Sequence, residues 1–223
     1  MTSRPLWLAL LGWYALSTAY ASARFVTTDV SLFDPLFQEK YAANLGLVIA
    51  HGGSAIAVLV LGFVLFLVNS GVYPSIHRLG RRLYATLLVI AGVTGFRMAL
   101  MAYGGLPAAL GLGTLAVLWI WTLWQGIAAA RRRQIAEHRR WMIRNYGLTF
   151  AAVVLRVLVR KASEYDLPYE QAYPVVTWLS WVPTLVGIEL WFRRAAIREW
   201  IAQRYSIVKV SPRFGMTTFT SLK

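Results

Sequence analysis

The chain contains no cysteine, which excludes disulfides, thiolate nucleophiles, iron–sulfur clusters and zinc–thiolate sites together. It is also poor in charge: 14% of its 223 residues are Asp, Glu, Lys or Arg, against about 25% in a soluble domain. Acids are the scarcer kind, nine against twenty-three basic residues. Only three histidines, His51, His77 and His138, remain as nitrogen ligands that are neutral at physiological pH. No Ser-His-Asp arrangement, phosphate-cradling glycine loop or pair of intramembrane carboxylates can be picked out. Whether the protein is an enzyme is left open by its sequence.

Apolar and aromatic residues are what the chain has in excess. Hydrophobic residues make up 58% of it, with ten Trp and eleven Tyr. Such rings are at home at a membrane–water boundary. The net charge of +14 would suit nucleic acid only if the basic residues shared one soluble face. They lie between apolar runs instead, so the expected partner is a lipid bilayer and not nucleic acid.

A bilayer core needs about 20 apolar helical residues. Six stretches qualify, near 5–23, 43–68, 82–103, 107–129, 143–160 and 173–193. The expectation is an all-α polytopic transmembrane helix bundle, a single domain over 1–223. Its four-helix core, the second to fifth helices, covers 43–160; the first helix and the last flank it, and an interfacial tail fills 194–223. Arg4, the run Leu6–Leu16 and Ala21-Ser22-Ala23 also fit a cleaved signal peptide. The thin charged region and the longer apolar run favour a retained helix. The link Tyr103-Gly104-Gly105-Leu106-Pro107 makes the third and fourth helices an antiparallel pair. Asp34-Pro35 opens a short helix with Phe33, Leu36 and Phe37 on one side. In the tail, Ile197, Trp200, Ile201 and Val208 recur among Arg194, Arg198 and Arg204, the pattern of a helix on an anionic inner leaflet.

Positive residues favour the cytoplasmic side. With the N-terminus inside, seventeen basic residues fall on inner segments and four on outer ones, while six of the nine acids lie outside. A multi-pass protein of the bacterial cytoplasmic membrane with both termini cytoplasmic follows.

Polar groups within a bilayer are costly and ask for a reason. His51, followed by Gly52 and Gly53, lies roughly 12 Å below the outer end of the second helix at 1.5 Å per residue. The two glycines leave space for a neighbouring backbone or a flat ligand. Arg97 in the third helix and Arg156 in the fifth fall in the same outer part. Two readings stand: the arginines snorkel to the surface and His51 bonds another helix, or the three form a cationic pocket for a quinone head group or haem propionates. His77 and His138 sit on the cytoplasmic side, in loops at the mouths of the third and fifth helices, each followed by arginine. They are either solvated members of the positive belt or two imidazoles ligating one haem iron. Trp119, Trp121 and Trp124 read as an aromatic belt. Glu189 and Arg193 are spaced as an i, i+4 pair.

The segment His138-Arg139-Arg140-Trp141-Met142-Ile143-Arg144-Asn145-Tyr146, continuing through Leu148-Thr149-Phe150-Ala151-Ala152-Val153 to Leu155-Arg156, closely resembles the hallmark of a bacterial family of predicted membrane proteins without assigned function, domain of unknown function twenty-three hundred and six. His51 with Leu61-Gly62-Phe63, and His77-Arg78-Leu79-Gly80-Arg81-Arg82-Leu83-Tyr84, fit the same pattern, so the resemblance covers roughly 43–160. It implies that His51, His77, His138, Arg144 and Arg156 are signature polar residues; it supplies no reaction. A four-helix core with histidines near both faces is superficially similar to transmembrane b-type cytochromes.

The leading expectation is a redox-associated protein binding haem b or quinone, with His51, His77 and His138 as candidate iron ligands and Arg97, Arg144 and Arg156 as candidate cofactor contacts. Beside it stands a non-enzymatic scaffold or accessory subunit, whose basic inner face binds anionic lipid, a protein partner or a second copy. A small-molecule transporter comes third, weakened by the absence of internal repeats.

Overall fold

The computed structural model describes residues 3–33, 35–67 and 73–209. Among the described residues nine α-helices follow one another: α1 (Ser3–Ser22), α2 (Pro35–Ala42), α3 (Leu45–Leu67), α4 (Pro74–Ala99), α5 (Gly105–Arg131), α6 (Ile135–Thr149), α7 (Ala151–Glu164), α8 (Tyr169–Leu179) and α9 (Val182–Lys209). Two short 3-10 turns, Ala23–Val26 and Val30–Leu32, lie between α1 and α2. Among the described residues there is no strand. Five stretches of the described residues are long and apolar enough to cross a membrane: Leu45–Leu67, Pro74–Ala99, Gly105–Arg131, Ile135–Glu164 and Tyr169–Arg198. The protein is therefore an all-α membrane bundle, as its composition requires.

Two compact units emerge, Met1–Leu185 and Val186–Lys223; the described part of the second is the continuation of α9. In the first unit, the inter-helix contacts give the packing directions. His51 meets Ala91 and Gly95 while Leu65 meets Gly80, so α3 and α4 are antiparallel. Gly92 meets Ile120 and Gly113 meets Phe96, so α4 and α5 are antiparallel too. The tight link between them needs left-handed backbone, supplied by Gly104 and Gly105 at φ 87° and 66°. The same logic runs α6 antiparallel to α5, through Trp119 with Thr149 and Gly126 with His138. One end of this unit collects Arg78, Arg81, Arg131, Arg132, Arg133, Arg139 and Arg140, and is called the basic face below. The other collects Asp29, Glu39, Glu164 and Glu170, and is called the acidic face.

Val58, Leu88, Ala91, Trp119, Leu123, Leu148, Ala151 and Trp181 form the core. Val89, Val93, Leu106, Leu110, Val117 and Val157 stay exposed on the spanning helices, the surface that hydrocarbon covers. With lipid as solvent, small residues at helix contacts replace hydrophobic burial as the packing device. A Cβ on Gly62 would meet the Tyr146 ring at 2.5 Å; glycine is what lets α3 and α6 approach there.

Several boundaries differ from the sequence reading. The third helix begins at Pro74 rather than 82, and the fifth span begins at Ile135 rather than 143, so His77 and His138 lie in helices and not in loops. The fifth span breaks at Phe150, where the Thr149 hydroxyl bonds back to Asn145 O at 3.0 Å, a contact that loosens the helix ladder. The sixth span is not one helix over 173–193; Ser180 and Trp181 interrupt it between α8 and α9. The first helix forms over Ser3–Ser22 and is not among the five spanning stretches; Trp13, Tyr14 and Tyr20 dilute its apolar surface. α2 begins at Pro35 as expected. Asp34, the side chains of Trp200, Ile201 and Val208, and Thr217–Lys223 lie outside the described residues.

Candidate functional site

At the level of Tyr84, Asn145 and Trp119, three helices exchange a closed set of hydrogen bonds. The Tyr84 hydroxyl donates to Asn145 Oδ1 at 2.7 Å. The Asn145 amide donates to Trp119 O at 2.8 Å and to Thr122 Oγ1 at 2.9 Å. The Trp119 indole in turn donates to Thr149 Oγ1 at 2.8 Å. Asn145 is wholly buried, and no described buried side-chain polar atom lacks a partner. An unpaired amide at this depth would cost several kcal/mol, roughly as estimated for an apolar medium. Here every such group is satisfied.

The same connections recur one step nearer the basic face. Seven residues are close to two helical turns, so a residue seven positions away lies on the same helix face. His77 precedes Tyr84 by that interval, His138 precedes Asn145 by it, and Gly126 follows Trp119 by it on antiparallel α5. His138 Nδ1 stands 2.8 Å from Gly126 O, repeating the bond from Asn145 to Trp119 O. That nitrogen carries the hydrogen, since a carbonyl can only accept; in the neutral imidazole the lone pair then sits on Nε2. His77 lies within electrostatic reach of His138 and of Arg81. Both histidines are half-buried. α4 and α6 make little direct backbone contact, leaving side chains to span the interval between them.

Arginines cluster around this pair. Arg78 donates to Ser75 at 3.2 Å, and Arg144 lies over the Trp141 ring with 4.6 Å to its centroid. Trp124, exposed on α5, lines a groove of about 200 Å³ with Ile127, Ala128, Arg131 and Arg132. Trp121 is exposed as well, as a lipid-facing belt requires. Trp119 is not: it is 8% exposed and belongs to the core, because its indole N–H has found Thr149.

His51 stands apart, far up α3 toward the acidic face. Its Nδ1 lies 3.0 Å from Ala91 O, and a Cβ on Gly95 would come within 2.9 Å of its ring. The space beside Gly52 is taken by neighbouring backbone, with the Phe25 carbonyl 3.1 Å from the position of an added Cβ. Arg97 does not join it: its side chain is exposed in the last turn of α4. Arg156 donates to Ala152 O at 2.9 Å and lies in electrostatic range of His51. Ala91 and His77 are fourteen residues apart on α4, about 21 Å at 1.5 Å each. His77 thus lies within electrostatic reach of His138, while His51 stands far from both along the helices.

Above His51, aromatic rings from the turn after α1, from α2, from the α4–α5 link and from α8 form a continuous cap. Phe33 and Tyr41 are 5.5 Å apart, Phe37 and Tyr103 4.9 Å, and Tyr169 and Tyr173 4.7 Å. Burial pushes the Tyr41 phenol up to about 12, opposed in part by Arg156 and Arg24. Asp29, outside the bundle, is held below the usual carboxylate range by hydrogen bonds from the Ser31 hydroxyl and backbone N–H.

Sequence reasoning gave no role to Tyr84, Thr122, Asn145 and Thr149, and it read Trp119 as belt. One signal was present: Asn145 is an amide inside an apolar run, costly unless another helix meets it. The seven-residue intervals from His77 to Tyr84 and from His138 to Asn145 were visible as well. Their meaning depends on which helices are neighbours.

Helices of this length and apolarity around a fully paired polar core define a polytopic membrane protein. The family model described as predicted membrane protein (DUF2306) matches residues 48–192, and the chain belongs to that family. No curated protein and no solved structure matches it.

Proposed function

We propose that the basic face carries a haem b site that His77 and His138 would hold through the iron, making the protein a membrane electron carrier. The observation that carries this reading is the repeated ladder. Its buried layer pairs Tyr84 with Asn145, and the register then directs His77 toward His138 across the interval between α4 and α6. Iron-binding histidines commonly donate their second ring N–H to a carbonyl, which fixes the tautomer and aims the free nitrogen. His138 does this with Gly126. Bis-histidine ligation needs no third protein ligand, consistent with no group of three or more His, Asp or Glu standing together among the described residues. Arg81, one turn after His77, and Arg139 and Arg140, next to His138 in sequence, would meet the propionates. Haem, when bound, supplies a one-electron centre; the chain's own part is to orient the imidazoles and neutralise the carboxylates. A quinone held between His51 and Arg97 is not favoured, because the two side chains do not meet.

The basic face is read as cytoplasmic, against anionic lipid of the inner leaflet of a bacterial inner membrane. Arg131 and Arg132 beside Trp124 suit that boundary.

The test is an absorption spectrum, oxidised and then dithionite-reduced, of protein purified in mild detergent after expression with haem supply. A Soret band that is lost in His77→Ala and His138→Ala but kept in His51→Ala is the expected result. A flat spectrum from folded, haem-replete preparations overturns the proposal. The closed, fully paired core then favours the second reading, a scaffold or accessory subunit.

A further inference from the structure

A separate cluster lies at the acidic face, on residues the haem reading does not use. Arg156, half-buried in α7, has five N–H donors and spends one on Ala152 O of its own helix. No carboxylate among the described residues pairs with it. Glu164, on the same helix, is already engaged by Arg160 at 3.2 Å and Lys161 at 2.6 Å. Within electrostatic range of Arg156 lie a second cation, Arg24, the phenols of Tyr41 and Tyr173, and His51. Arg24, exposed in the turn after α1, holds its guanidinium 5.1 Å from the Phe25 ring centroid. Phe25 itself packs on Gly52 and faces Tyr41 at 6.3 Å. Four elements, the turn after α1, α2, α7 and α8, thus converge on two positive charges and two hydroxyls, with His51 beneath.

Two like charges in a partly dry setting repel one another, and neutral phenols cannot offset them. An anion between them can. Guanidinium forks with added hydroxyl donors suit a group offering several oxygens. Their combined donors also exceed the roughly four lone-pair positions of one carboxylate. The aromatic cap supplies an apolar wall, which a group held at the membrane boundary needs.

We propose that Arg156 and Arg24, with the hydroxyls of Tyr41 and Tyr173, bind a phosphate group at the acidic face. The phosphate comes either from the headgroup of an anionic lipid or from solution; the recognition chemistry is the same for both. This site is independent of the haem proposal and stands or falls alone.

The experiment uses the full chain, delipidated in uncharged detergent, with its thermal midpoint followed by tryptophan fluorescence. Inorganic phosphate is titrated against chloride at matched ionic strength, and phosphatidylglycerol against phosphatidylcholine. A saturable rise with phosphate identifies a site for the free anion. A rise with phosphatidylglycerol alone identifies a lipid headgroup site. In either case Arg156→Gln and Arg24→Gln should each weaken the apparent affinity about tenfold or more. No rise with either probe, or the same titration curve in Arg24→Gln as in the native protein, overturns the proposal. Arg24 is exposed, so its variant keeps the test decisive even where Arg156→Gln fails to fold.

Discussion

Tyr84 and Asn145 meet across two helices that barely touch, joined by a hydrogen bond of 2.7 Å in a setting sealed from both lipid and water. Asn145 also holds Trp119 O and Thr122, so one amide ties α6 to both α4 and α5. Each interhelical hydrogen bond in a membrane protein contributes about 0.6 kcal/mol on average, up to about 1.7. Asn145→Ala should therefore destabilise the bundle by about 2 kcal/mol. A double-mutant cycle with Tyr84→Phe, read from denaturation in detergent, should return a coupling near that of one such bond. Strict additivity of the two substitutions would show that the contact carries no energy.

Gly95 is glycine because the His51 ring lies against it. A Cβ there would come within 2.9 Å of His51, and the ring cannot retreat without leaving Ala91 O. Gly95→Val should cost about 1–3 kcal/mol, as overpacking does. Gly46, on α3, has nothing within 4 Å of an added Cβ. Gly46→Ala should be neutral or slightly stabilising, since Ala is the better helix former by about 1 kcal/mol. Equal thermal midpoints for the two variants would contradict the assigned packing.

Tyr41 sets a pH limit. Its phenol is raised from 10.0 to about 12 by burial, so the folded state holds its proton after the unfolded chain has released it. A raised folded-state value means that the contribution is complete below pH 10 and is lost as pH rises toward 12. Ultraviolet titration should show a tyrosine step near pH 12, and Tyr41→Phe should remove it. The variant should also soften the loss of stability in base. Retention of the late step in Tyr41→Phe would assign it to another residue.

The tryptophans of α5 should separate by environment. Trp124 is 61% exposed and Trp119 is 8% exposed. Brominated lipid should quench emission that disappears in Trp124→Phe. Trp119→Phe should leave that quenching in place while lowering stability, because it removes the indole's hydrogen bond to Thr149. Quenching that is lost in Trp119→Phe would mean that the bundle opens to lipid there.

The cysteine-free chain gives direct access to orientation. Single substitutions Gln134→Cys at the basic face and Ser163→Cys at the acidic face both fall at exposed positions. A membrane-impermeant maleimide should label Ser163→Cys in intact cells and Gln134→Cys only after permeabilisation. The reverse pattern would invert the proposed topology.

Long apolar runs and scarce charge determined by themselves that this chain is a membrane-spanning helix bundle, because only helices and closed barrels satisfy the backbone within lipid. The hallmark from His138 to Arg156 placed it in its family, and the arginine bias separated a basic from an acidic face. Hydropathy alone misplaced the start of the helices bearing His77 and His138, since a helix continues past the apolar run wherever its polar first turns find water or partners. Trp119 read as belt and proved to be core, because an aromatic residue at helical spacing has no address until its neighbour is known. Only the tertiary structure decided that His77 approaches His138 and that His51 does not. The same holds for Arg156, which has Arg24 within its electrostatic range. Such pairings join helices far apart in sequence, and the side-chain contacts that select them leave no periodic signal in any one helix.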